Sequence, residues 1–153
     1  MKAIIVHPLI ESERGGYTIS TDKARLDVAA IHAYLTRSYW SPGIPKAIVE
    51  RAIAGSLCFG LFDEQGNQIG FARMITDTAT FAYLADVYVL EEHRGKGLGK
   101  WIVETILAHP SLQGLRRILL ATRDAHQLYA QFGFEPLATP ESFMSIHRPN
   151  AYG

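Results

Sequence analysis

With one cysteine, the chain cannot close a disulfide within itself, and a thiolate-rich zinc site is excluded. No excess of charge exists either: 15 Lys+Arg balance 15 Asp+Glu. A nucleic-acid binder needs surplus cations to displace phosphate counterions, so nucleic acid is not an expected partner. No apolar stretch approaches the ~18 residues that cross a bilayer, which argues against a membrane role. Met1–Pro8 is too short, and too soon broken by Pro8, to read as a signal peptide. The expected location is the cytoplasm. No His pair has metal-ligand spacing, so no metal is expected, and repeats, low-complexity tracts and long linkers are missing.

What remains is an ordinary globular composition, 48% hydrophobic and 20% charged over 153 residues, enough for one layered core. We expect a single domain over 1–153. Cys58 lies in the apolar run Ser56–Phe62 and reads as a small buried hydrophobe.

Short strand-like and helix-like pieces alternate, predicting an α/β or α+β domain. Tyr17–Ser20 is a short strand. Thr21 and Asp22 offer capping oxygens to a helix reaching about Arg37, and Pro45 suits the first turn of a second helix through about Ala54. Leu57–Phe62 and Gln68–Thr76 flank a tight turn and predict a hairpin. Phe81–Val89 is apolar at nearly every position, predicting a central strand covered on both faces. Leu98–His109 keeps helical spacing until Pro110 stops it, and Arg117–Thr122 predicts a buried strand. A helix follows over Asp124–Phe132, with Asp124 and Gln127 spaced as a capping box and Gly133 as its stop. Phe143–His147 predicts a last strand. The expected order is β-α-α-β-β-β-α-β-α-β.

Chemistry concentrates between the strand ending near Val89 and the helix starting near Leu98. Here Gly95, Gly97 and Gly99 alternate with Arg94, Lys96, Leu98 and Lys100. Glycines allow dihedrals that turn successive N–H groups into one concavity, and the following helix adds unpaired N–H groups and a positive dipole end. A diphosphate is the natural ligand. The loop departs from nucleoside-triphosphate loops, because Trp101 follows Lys100 where a magnesium-holding hydroxyl belongs. It also departs from the dinucleotide fingerprint, since its glycines read G-x-G-x-G.

The segment Asp86–Val89 running into Arg94–Lys100 resembles the acyl-CoA signature of the GNAT superfamily of N-acetyltransferases. Asp124–Phe134, with Tyr129 four residues before Gly133-Phe134, resembles that family's helix-borne tyrosine. The resemblance spans about Tyr17 to Ile146. Ser38-Tyr39-Trp40, Gly70–Arg73 and Phe81–Asp86 look like one uncharacterised bacterial branch. The family implies a mixed, mostly antiparallel sheet, splayed between two central strands and flanked by about four helices, with acetyl-CoA as co-substrate. It places pantetheine on Val87, Tyr88 and Val89. It places the diphosphate on Arg94, Gly95, Lys96, Gly97, Leu98, Gly99 and Lys100, with Thr122 ending the neighbouring strand.

In such a mechanism Tyr129 is the general acid for the departing thiolate and a contact of the cofactor. Asp86 is the nearest carboxylate to a base, or equally a structural one; strand alternation turns it away from Tyr83 and Val87 unless a bulge intervenes. Tyr34, Tyr39, Trp40, Arg73 and Phe81 are candidates for the acceptor pocket. The expected partner is a small-molecule or peptide amine, and a homodimer is allowed. The competing readings are a non-catalytic acyl-CoA sensor and, less favoured by Trp101, a nucleotide switch.

Overall fold

The computed structural model describes residues 7–153. The reading of the segment ahead of His7 therefore lies outside the described residues. Six strands form one sheet in chain order: β1 Glu11–Arg14, β2 Tyr17–Ser20, β3 Leu57–Phe62, β4 Gln68–Thr76, β5 Phe81–Val89 and β6 Arg117–Leu120. Neighbours are antiparallel except β5 and β6, which run parallel. Four helices flank it: α1 Val28–Leu35, α2 Lys46–Ala54, α3 Leu98–Ala108 and α4 His126–Ala130.

The first hairpin turns on Gly15 and Gly16, both at positive φ (57° and 87°), the conformation a two-residue hairpin turn requires. Strand β1 is absent from the sequence expectation because Glu-Ser-Glu-Arg has no apolar alternation; pairing with Tyr17–Ser20 makes it a strand. The predicted hairpin of β3 and β4 is present, its turn held by Asp63, which accepts the N–H groups of Gln65 and Asn67.

Two cores sandwich the sheet. One face packs on α3 and α4 through Phe59, Met74, Leu84, Ile102 and Ile106. The other packs Cys58, Phe71 and Tyr88 against Ile31, Leu35, Val49 and Ile53 of α1 and α2. Cys58 is 1% exposed, and burial pushes its thiol up to about 11, as suits a packing residue.

Several expectations need correction. Phe143–His147 is not a strand: it is exposed and unpaired, with Met144 97% exposed, so β6 is an edge. Edge position leaves β6 half-buried rather than buried, and it ends at Leu120, before Thr122. Strand β5 is not covered on both faces along its length: Phe81 is exposed and Tyr83 half-exposed on the side away from α3. The first helix starts at Val28, because Asp22 caps a separate turn over Lys23–Arg25 while Asp27 accepts the N–H of Ala30. The capping box at Asp124 does not form. Thr122 Oγ1 accepts the N–H of Ala125 instead, and α4 runs only over His126–Ala130.

Candidate functional site

The parallel ladder between β5 and β6 covers only Phe81–Leu84 against Arg117–Leu120. Beyond Leu84 and Leu120 the two strands part. A bulge drives this opening. Arg73 pairs with Ala85 and Phe71 with Tyr88, so Asp86 and Val87 together face Ala72, with Asp86 at φ 56°. The sequence left the bulge open as an exception; it is the actual arrangement. Leu90 donates its N–H to Ile69 O on β4 at 2.8 Å, so alternation turns the backbone groups of Val87 and Val89 toward the opening.

The glycine loop closes one end of this opening. Gly95 and Gly97 stand at φ 81° and 75°, and a Cβ built on either meets nothing within 4 Å. Among the described residues, no group accepts a hydrogen bond from the N–H of Gly95, Lys96, Gly97, Leu98, Gly99 or Lys100. Six donors in succession, joined to the N-terminal end of an eleven-residue helix, form an anion cradle. Gly99 differs from the other two glycines. Its φ is ordinary and a Cβ there would touch only Leu128 Cδ2 at 3.8 Å.

Side chains around the loop are pinned. Arg94 donates from Nε to Val89 O at 3.0 Å and from its terminal nitrogen to Tyr34 Oη at 3.2 Å. Tyr34 stacks on Tyr88 with centroids 3.9 Å apart and planes 7° from parallel. Burial pushes the Tyr88 hydroxyl well above its usual range, keeping it neutral. Tyr34 thus braces Tyr88 of β5 and Arg94. Lys96 Nζ donates to Tyr17 Oη at 3.1 Å, and Tyr17 shares a 2.8 Å hydrogen bond with His93 Nδ1. No local signal in the sequence ties Tyr17 to a loop 79 residues away.

Tyr129 on α4 is 8% exposed, buried in the core that Val87 and Val89 pack against, and edge-on to Phe134 at 5.8 Å. Burial, then the proximity of Tyr39 and Asp124, raises its hydroxyl to about 12. Tyr129 and Thr122 border a cavity of about 990 Å³ along β6, shared with Leu120 and Phe134. Tyr39 meets the segment that follows β6: its hydroxyl accepts the backbone N–H of Arg123 at 3.1 Å, and the Arg123 guanidinium lies 3.9 Å over its ring.

Asp86 has both oxygens engaged. Arg73 Nε donates to Oδ2 at 2.6 Å and Trp40 Nε1 to Oδ1 at 2.9 Å, while Arg73 also reaches Ser56 Oγ at 3.0 Å. Tyr39, Trp40, Arg73 and Asp86 are therefore gathered at one end of the opening. Phe81 is not among them: it starts β5, five residues below Asp86. Among the described residues, no group of three His, Cys, Asp or Glu side chains is placed to hold a metal.

A sheet parted beside a row of six unclaimed N–H donors, with a buried tyrosine on α4, is a geometry that suits an acyltransferase. The chain belongs to the GNAT acetyltransferase family: the family described as "Acetyltransferase (GNAT) domain" matches residues 54–136. The protein of Gibberella zeae named "Putative acetyltransferase FG08082" is 38% identical over 140 residues, covering 77% of this chain and 78% of that one. A crystal structure from Xanthomonas campestris pv. campestris, assigned to the same family, is 52% identical with a TM-score of 0.86, covering 89% of this chain and 96% of that one. A predicted acetyltransferase from Clostridium acetobutylicum, solved with acetyl-CoA, shares the fold at 14% identity and TM-score 0.62, covering 86% and 94%. Among the described residues, no helix is long and apolar enough to cross a membrane.

Proposed function

We propose that this chain moves an acetyl group from acetyl-CoA to a primary amine by direct attack within a ternary complex. The observation that carries this reading is the unclaimed row of N–H groups from Gly95 to Lys100, lying beside the open edge of β5. The free space over Gly95 and Gly97 fits a diphosphate, and the outward groups of Val87 and the N–H of Val89, whose carbonyl already accepts from Arg94, fit an amide-bearing arm added as a pseudo-strand. Acetyl-CoA supplies an activated thioester carbonyl when bound.

The chain's own residues then have three tasks. A backbone N–H on the Val87–Val89 strand donates to the thioester oxygen as negative charge develops there. Tyr129, neutral because burial raises it to about 12, gives its phenolic proton to the sulfur as the carbon–sulfur bond breaks and the carbon–nitrogen bond forms. The amine's own proton leaves through water, which later returns one to Tyr129. Asp86, with both oxygens already accepting, positions Arg73 and Trp40 rather than acting as the base.

A second reading, an acyl-CoA sensor without catalysis, is favoured by that same engagement of the nearest carboxylate. Thermal shifts with acetyl-CoA against ATP-magnesium test the binding half: stabilisation is expected with the thioester alone. Thiol release with a panel of amines tests the catalytic half, and binding without release would establish the sensor.

A further inference from the structure

Strand register places Arg73 beside Ala85, Ile75 beside Tyr83, Tyr83 beside Leu119, and Phe81 beside Arg117. Directly paired residues share a face, and Arg73 pairs with Cys58, which packs under α1 and α2. Those helices stop short of the lower half of this face. Ile75 is left 43% exposed and Phe81 38%, with Tyr83 and Leu119 half-buried between them. At the upper end Tyr39 and Trp40, 45% and 38% exposed, stand beside the opening where β5 and β6 part. Scattered exposed apolar residues need no explanation, but a contiguous strip leading into a reaction site does.

The charges on this side are equally specific. Arg73 and Asp86 neutralise each other, and Asp86 has no oxygen left unbonded. Arg123 lies over Tyr39, and Arg117 stacks 4.8 Å from Phe143. Among the described residues neither arginine makes an ion pair. The strip is thus apolar along its floor, with Arg117 and Arg123 at its two ends; Asp77 accepts the N–H of Phe81 at the lower end and Asp124 stands near Tyr129 at the upper. A second ammonium on the acceptor would lose its water against this floor with no partner on it, and a sugar's hydroxyls would find few partners. The same apolar floor lowers the pKa of an incoming amine by desolvation, favouring the neutral form that attacks.

We propose that the acceptor is a primary monoamine on an apolar body, aromatic or branched aliphatic, lying on the Ile75–Tyr83–Leu119 strip with its nitrogen under Tyr39. This rests on the acetyl-transfer reading above. The test follows thiol release from acetyl-CoA with 2-phenylethylamine, isoamylamine, spermidine and glucosamine, after calorimetry has established that the protein binds acetyl-CoA. The expected result is a kcat/KM for the two apolar monoamines at least tenfold above those for spermidine and glucosamine. Ile75→Glu, at an exposed position, should lower kcat/KM for 2-phenylethylamine about tenfold through KM, with acetyl-CoA affinity unchanged. Preference for spermidine or glucosamine, or indifference to Ile75→Glu, overturns the acceptor assignment and leaves acetyl transfer standing. Acetyl-CoA binding with no thiol release from any of the four amines overturns acetyl transfer, and the assignment with it.

Discussion

Asp86 accepts the Arg73 Nε–H at 2.6 Å from a position whose backbone has crossed to positive φ. The pair is largely buried, with side chains 8% and 17% exposed, and joins the bulge of β5 to β4 and, through Trp40, to the connection between α1 and α2. It holds the opening of the sheet at the point where acetyl transfer is proposed.

Asp86→Asn should therefore act first on stability. It strips the charge from one side of a buried pair and leaves the guanidinium of Arg73 uncompensated, at a cost of about 3 kcal/mol. Urea denaturation measures this. If Asp86 positions and does not abstract protons, the variant keeps the acid limb of the parent's kcat/KM–pH profile. Disappearance of that limb in the folded variant would restore it as the base.

Tyr129→Phe should lower kcat by roughly 10²-fold while leaving the acetyl-CoA dissociation constant nearly unchanged, because only the proton to sulfur is lost. Unaltered turnover would remove Tyr129 from the acid role. The raised pKa also makes a stability statement. The unfolded phenol ionises near 10 and the folded one near 12, so between those values the folded state holds the extra proton. Its contribution is intact below pH 10 and falls as pH rises toward 12. Alkaline melting curves should show a smaller loss across this window for Tyr129→Phe than for the parent.

Gly97 and Gly99 should separate cleanly. Gly97→Val puts a branched side chain at φ 75° and into the space above the N–H row, so acetyl-CoA binding should vanish in calorimetry while circular dichroism still reports a folded chain. Gly99→Ala, with ordinary φ and only a 3.8 Å contact to Leu128, should bind within about twofold of the parent, ~0.4 kcal/mol. Normal binding by Gly97→Val would refute the cradle.

His109 predicts the acid side of stability. It is 1% exposed, accepts the N–H of Ser111 on Nδ1, and lies edge-on to Phe59. Burial lowers its pKa below the usual 6.5, holding it neutral in the fold. Below 6.5 the unfolded chain takes up a proton that the folded chain resists. This term should lower the melting temperature as pH falls from 6.5 toward the folded value. His109→Gln should flatten that part of the profile, as read by calorimetric melts at pH 7 and 5.

The glycine loop, its flanking strand and helix, and Tyr129 ahead of Gly133-Phe134 could be recognised from the chain because they are local. Positive φ at Gly95 and Gly97, a helix beginning at Leu98 and a strand ending at Val89 all follow from neighbours a few residues apart. Long-range pairing set the rest. Glu11–Arg14 became a strand only by lying against Tyr17–Ser20, while Phe143–His147, apolar enough for one, stays unpaired although β6 offers an edge. Local sequence order thus determined an α/β domain with a glycine loop between a strand and a helix. Only tertiary structure decided that Asp86 would be engaged by Arg73 and Trp40, that Tyr39 would reach Arg123, and that the lower half of one face of β4–β6 would stay uncovered. Local dihedral preference is written into adjacent residues, whereas partners 13 to 84 positions apart are chosen by how the folded layers pack.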